Sequence, residues 1–323
     1  MRLVPKSLAL FAGLALLAGC ADERSAPTGP AALSVDGDIE IKRPRLDVTG
    51  WVDETTELPL EILSLGNARN IGPGSALLIT IPGEGRFGCT ANFLWTSGSK
   101  TYLGAAGHCF LPAAKKSTHG EGADYDASGV TVQVCVEGCD GNFRTATLVG
   151  KLVTLGKVAY ARQTDPTGTE DIGNDFGVVE VPASLASLLR PSMPVWGGPS
   201  KVEELDYGKY GCHYGNGTGV GEVFLTKARV GISAGLEQDY WMGDFVGAPG
   251  DSGSGMVTCE SDGLNFHGKG AAGVVTHLGI GTGEVKYKGL KTKVEHGAIF
   301  GTTMRRSVEM GREAGLNLKV VLP

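Results

Sequence analysis

Three short stretches of this sequence hold side chains that could together carry acyl-transfer chemistry. Gly247-Ala248-Pro249-Gly250-Asp251-Ser252-Gly253-Ser254-Gly255 places a serine in a turn whose glycines let the backbone approach a substrate closely. Serine alone is a poor nucleophile; it needs a base to take its proton and amide donors for the oxyanion that develops on the attacked carbonyl. The N–H groups of Gly250 and Ser252 are the candidate donors. Ala105-Ala106-Gly107-His108-Cys109 offers His108 as the base, with an ordinary pKa close to the range in which acid–base catalysts work. Asn174-Asp175-Phe176-Gly177-Val178-Val179-Glu180-Val181 opens an apolar run with an aspartate that could hold the imidazole in one tautomer and stabilise the imidazolium. Each stretch also has a plainer reading: an ordinary glycine-rich turn, a packed histidine, a strand-start carboxylate with Asp171 as its nearest substitute.

The elements that must position these residues read as strands. Val130, Val132, Val134 and Val136 alternate with Thr131, Gln133 and Cys135, the period-two signature of a half-buried strand. Further strands are predicted over 76–81, 90–95, 147–153, 176–181, 223–230 and 271–276, many bounded by Gly, Asn or Pro. Helical signals are confined to 182–189, opened by Pro182, and 303–314, with Gly315 placed to cap it. No 20–50 residue repeat marks a solenoid or propeller. The pattern predicts an all-β antiparallel sandwich or barrel, and 51 glycines in 323 residues suit its many turns. Hydrophobic residues at 41% and charged residues at 20% exclude a charge-rich coiled coil or a disordered tail. The net charge of −6 argues against a non-specific nucleic-acid binder, which needs surplus cations for phosphates.

The N-terminus reads as a targeting device. Arg2 and Lys6 precede an apolar stretch from Leu8 to Ala18, too short to span a bilayer and suited to a signal-peptide core. Leu17-Ala18-Gly19-Cys20 resembles the lipobox of bacterial lipoproteins, which implies residues 1–19 as leader and Cys20 as the lipidated first residue of an exported, membrane-anchored chain. The alternative is ordinary cleavage and secretion. Residues 20–35 read as a tether and 36–70 as a propeptide or N-terminal extension. Six cysteines remain: Cys89, Cys109, Cys135, Cys139, Cys212 and Cys259. An even number in an exported chain predicts three disulfides. The rival is zinc, since His108, His119 and His213 lie near some of them, but no close-spaced cysteine pair faces a second one.

Taken together, the histidine, aspartate and serine stretches, in that order, resemble the chymotrypsin-like (trypsin-fold) serine endopeptidases over roughly residues 70–320. The resemblance implies two Greek-key six-stranded β-barrels over 71–323, with a boundary near 190–205 and a C-terminal helix. It implies His108 as base, Asp175 as orienting acid, Ser252 as nucleophile, and no cofactor or metal. It also implies the bridges Cys89–Cys109 and Cys212–Cys259, leaving Cys135 with Cys139. Gly177 stands where the family usually has Ala.

By the same resemblance Val246 forms the base of the specificity pocket, and Val275-Thr276-His277-Leu278 matches the strand that hydrogen-bonds the substrate backbone. An uncharged base argues against Arg or Lys at P1 and favours an apolar residue. His277 keeps an acidic P1 open, and Asp244 a basic one. Arg69-Asn70-Ile71-Gly72-Pro73-Gly74 faintly resembles the start of activated members, so cleavage near residue 70 could free an amine to pair with Asp251. The function so implied is hydrolysis of peptide bonds in a polypeptide substrate by a monomer. The alternatives are a catalytically silent binding or adhesive lipoprotein of the same fold and an esterase with the same triad.

Overall fold

A computed structural model of the chain describes residues 40–42, 46–47, 70–112, 129–142, 147–164, 172–217, 227–263, 265–287 and 290–323. The leader, Cys20, the tether, His119 and Asp171 lie outside them. Among the described residues, no helix is long and apolar enough to cross a membrane.

The N-terminal half is built from two antiparallel sheets. In the first, β3 (Ala76–Ile81) and β4 (Gly85–Thr90) form a hairpin, β7 (Thr131–Asn142) and β8 (Thr147–Thr154) extend it beyond β3, and β2 (Leu46–Asp47) adds to β4. The second has the order β18 (Lys319–Val320), β5 (Leu94–Ser97), β6 (Lys100–Ala105), β10 (Asp175–Val181), β9 (Val158–Gln163). Leu77, Ile79, Val132 and Val134 of the first sheet share one core with Leu94, Leu103, Val178 and Val179 of the second. On β3 the alternate residues Ala76 and Leu78 point the other way and pack with Cys135 and Cys139 in a second, smaller cluster.

The C-terminal half is a closed six-stranded barrel. Its order is β16 (Phe266–Tyr287), β15 (Gly255–Ser261), β12 (Tyr210–Tyr214), β13 (Ala228–Glu237), β14 (Tyr240–Asp244) and β17 (Leu290–Thr303), which pairs back onto β16. Two further short strands, β1 (Glu40–Lys42) and β11 (Lys201–Val202), lie against β16. Closure leaves these six strands few free edges. Helix α1 (Met304–Glu313) follows, with Thr303 Oγ1 accepting the Arg306 N–H at 3.1 Å as N-cap and Gly315 in the left-handed region at φ 77° just beyond its end. The chain then returns to pair β18 with β5, so the C-terminus is part of the N-terminal half.

Several expectations are corrected. The predicted strand over 90–95 is broken after Thr90, because Asn92 Oδ1 accepts from Phe93 N–H at 2.6 Å and Trp95 Nε1 at 3.0 Å and turns the chain between β4 and β5. The predicted helix over 182–189 is a 3-10 segment, Ala183–Leu188, with no buried residue to hold a longer helix against the body. Residues 36–70, read as having few clear strands, contain β1 and β2; at three and two residues they are too short to show a period. The three disulfides are Cys89–Cys109, Cys135–Cys139 and Cys212–Cys259, so none of these sulfurs is available as a zinc ligand.

Candidate active site

His108 sits in a 3-10 turn, Gly107–Cys109, directly after β6, and is fully buried. The disulfide to Cys89 at the end of β4 fixes this turn from one side. Asp175 opens β10, also with no exposed surface, and both its oxygens meet the same residue: Oδ1 accepts the His108 N–H at 2.9 Å and Oδ2 lies 2.7 Å from His108 Nδ1. Two contacts to one residue fix the orientation of the imidazole as well as its distance. Gln163 Nε2 donates to Oδ2 at 3.1 Å, and Thr302 binds the Asp175 backbone on both sides, accepting from its N–H at 3.3 Å and donating to its carbonyl at 3.0 Å. Burial pushes the Asp175 carboxyl up, but the charge and hydrogen bonds of His108, helped by His277, outweigh it and hold the group below the usual carboxylate range.

Ser252 lies in the turn between β14 and β15, and that turn is clamped between the two halves. Thr90 N–H donates to the Ser252 carbonyl at 2.9 Å, and Thr90 Oγ1 to the Gly250 carbonyl at 2.8 Å. On the other side Gly253 N–H donates to Val275 O at 2.7 Å. Cys109 Sγ is 3.8 Å from the Ser252 carbonyl, which brings the serine turn against the histidine turn. Gly253, at φ 92°, has no room for a side chain, since a Cβ there would strike the Thr90 carbonyl and come within 2.9 Å of Ala106 N. Within the turn the N–H groups of Asp251, Gly253 and Ser254 bind the carbonyls of Ala248, Val275 and Asp251. Gly250, at φ 100°, and Ser252 are the two donors expected for an oxyanion.

Asp251, beside the serine, is fully buried and already paired. Arg229 of β13 makes an ion pair with Oδ2, Ala248 N–H donates to Oδ2 at 2.8 Å, and Gly217 N–H donates to Oδ1 at 2.8 Å. In the intact chain Asp251 is thus paired without an α-amino group from cleavage near residue 70. Ile71 N–H donates instead to Leu188 O at 2.8 Å and bridges Leu189, while Gly72 is pressed on the Arg190 carbonyl.

The residues expected to line the specificity pocket are only partly gathered. Val246 is 45% exposed, and its carbonyl accepts from His213 Nε2 at 2.9 Å. His213 is fully buried, and burial together with the Arg229 charge pushes its pKa down to about 3, so it is neutral and donates through Nε2–H. Leu278 and Ile299 close on the next residue: a Cβ on Gly247 would lie 2.7 Å from Leu278 Cδ2 and 2.5 Å from Ile299 Cδ1. Thr276 and His277 are both buried, with Thr276 Oγ1 2.7 Å from His277 Nδ1. Asp244 is exposed at the end of β14, opposite Ile232. The donor atoms of Cys89, His108 and Cys109 lie within 4.8 Å of one another, but both sulfurs belong to one disulfide.

Thr90, Gln163, Arg229 and Thr302 were not singled out by sequence. Arg229 had an indirect signal, since a buried Asp251 without a new amine requires some other cation. The other three are polar residues at strand ends, which motif reading does not distinguish from ordinary turn residues.

No protein-family model matches the chain, and no curated protein does. Among solved structures it resembles Thermobifida fusca protease A at 17% identity and a TM-score of 0.41, covering 78% of this chain and 99% of that one. The Cellulomonas bogoriensis chymotrypsin matches at 16% identity and a TM-score of 0.39, over 78% and 98% of the two chains. A thermostable serine protease, AL20, from an extremophilic microorganism matches at 12% identity and a TM-score of 0.45, over 74% and 95%. All three are proteases by name, the second a chymotrypsin and the third a serine protease.

Two outcomes follow from the buried carboxylates. Arg229→Met leaves Asp251 charged and enclosed, and chemical denaturation is expected to show a loss of about 3–5 kcal/mol. Asp175, held low in the native state, contributes stability above its unfolded value near 4 that is lost as pH falls through the native value. Acid unfolding of the parent should therefore steepen below about pH 4, and Asp175→Asn should weaken that dependence.

Proposed function

We propose that this chain is an exported serine endopeptidase in which Ser252, His108 and Asp175 act as a catalytic triad. The observation that carries the reading is the enclosed His108–Asp175 pair, joined at 2.7 Å through Nδ1 and at 2.9 Å through the backbone. That contact leaves Nδ1 protonated and Nε2 as the basic nitrogen. Ser252 Oγ attacks the substrate carbonyl and gives its proton to Nε2, while the N–H groups of Gly250 and Ser252 receive the oxyanion. The imidazolium then protonates the leaving amine, an acyl-enzyme forms, and water activated by His108 releases the acid and restores Ser252.

Arg229 supports a second part of the reading: the serine turn is held in the intact chain, so the catalyst needs no cleavage near residue 70 to neutralise Asp251. An apolar P1 residue fits best. Val246 carries no charge, and Gly247 is flanked by the apolar Leu278 and Ile299. His277 has its Nδ1 at Thr276 and helps hold the Asp175 carboxyl low, which supports a role beside Asp175 over recognition of an acidic side chain. Three disulfides favour an oxidising compartment, in keeping with a leader over 1–19 and a lipid anchor on Cys20.

A tagged fluorophosphonate is expected to label the purified parent and not Ser252→Ala, and a P1 peptide library to be cleaved after apolar residues. A folded parent that resists labelling would support a silent binding protein of this fold; cleavage of esters alone would support an esterase; Arg or Lys preferred at P1 would remove the pocket assignment.

A further inference from the structure

Strand β16 runs from Phe266 to Tyr287, and β17 covers one of its edges from Gly273 to Tyr287. On the other edge β15 reaches only to Val274. The serine turn takes the next residue, with Gly253 N–H donating to Val275 O at 2.7 Å and Val275 N–H to Ser254 O at 2.9 Å. Beyond it β1 continues the ladder: Lys42 stands opposite Leu278, Ile41 opposite Gly279 and Glu40 opposite Ile280.

Strand β4 repeats this arrangement. One edge pairs with β3 along its whole length. Thr90 N–H donates to the Ser252 carbonyl at 2.9 Å, and just upstream Gly88 and Phe87 pair with Leu46 and Asp47 of β2. Ser252 is therefore flanked by two sheet edges, each bound to the serine turn and each also carrying a short strand from the same N-terminal segment. Lys42 and Leu46 are four residues apart, so the facing ends of β1 and β2 lie within about 14 Å of each other.

An extended polypeptide held for cleavage needs main-chain partners on both sides of its scissile bond, and open sheet edges supply them by strand addition. We infer that β1 and β2 are a built-in, substrate-like inhibitor: they take the two edges beside Ser252 that a polypeptide substrate must use, and hydrolysis requires their displacement. This rests on Ser252 being the nucleophile. The device acts by occupancy. Because Arg229 already holds Asp251, the serine turn is formed beneath the strands, and their release changes access without rebuilding the site. Three and two residues of pairing, both antiparallel, make a contact that a longer substrate strand can replace. A competitor of this kind raises the apparent KM in inverse proportion to the fraction of molecules in which the edges are open and leaves kcat unchanged.

The test compares the full chain with Ile41→Pro, Leu46→Pro and the double variant. Proline removes a main-chain donor and disfavours a ladder, and neither position belongs to the proposed triad. A small fluorophosphonate reports Ser252 alone, while an extended peptide with an apolar P1 reports the edges. All four proteins are expected to label at similar rates. The double variant should show an apparent KM lower by about tenfold at unchanged kcat, and a synthetic peptide of residues 38–49 should restore the parent KM competitively. An unchanged KM in a double variant that labels normally overturns the inference. Should the variants not fold, the parent itself decides it. Attaching a peptidyl phosphonate to Ser252 must raise amide exchange at Glu40–Lys42 and Leu46–Asp47 by about tenfold, and no rise overturns the inference. Absence of labelling in every protein, the parent included, counts instead against the nucleophile.

Discussion

Two carboxylates, Asp175 against the histidine turn and Asp251 within the serine turn, are completely enclosed, and the residues around them are arranged to pair with them. An unpaired buried charge costs several kcal/mol, so each must be met by cations and N–H donors from elements far apart in sequence. Asp175 takes its partners from the histidine turn, β9 and β17; Asp251 takes them from β13, the residues after β12 and its own turn. The first set draws the C-terminal barrel onto the N-terminal half, and the second shapes the loop that presents Ser252. Stability and the geometry of the proposed site therefore share the same contacts. Their loss would be felt in both.

The second constraint is steric. Gly253 lies where β4, the histidine turn and β16 converge, and no side chain fits between the Thr90 carbonyl and Ala106. Thr90 takes part twice, through its N–H to Ser252 and its hydroxyl to Gly250, and so ties the serine turn to the strand that carries Cys89. Since Cys89 is bonded to Cys109, a short covalent path joins the strand bound to Ser252 to the histidine turn. The same strand and β16 offer the edges that flank Ser252, and in the intact chain β1 and β2 pair with those edges.

Much of this was legible in the sequence where the signal is local. The alternation around Val132 and Val134, the apolar runs of β3 and β10, and the cap and stop of α1 depend on neighbours a few residues apart, and the structure bears them out. Ser252, His108 and Asp175 stood out because their types and surrounding glycines are unusual together. What was not legible depends on contacts across long separations. Arg229, Gln163 and Thr302 look like ordinary strand residues until the fold brings them to a buried carboxylate. β1 and β2 had no periodic signal because three and two residues are too few to show one. The amine expected near residue 70 was implied by the resemblance of residues 69–74 to activated family members; in the intact chain Arg229 of β13 pairs with Asp251.

The most direct test of the account is the steady-state kcat/KM of Asp175→Asn against the parent on one peptide substrate, with circular dichroism to confirm folding. A triad held by this carboxylate predicts a fall of about 10⁴-fold, because asparagine leaves the imidazole in the wrong tautomer. A folded Asp175→Asn protein that keeps activity within a few-fold of the parent would contradict it, and would place the base or its orienting group elsewhere.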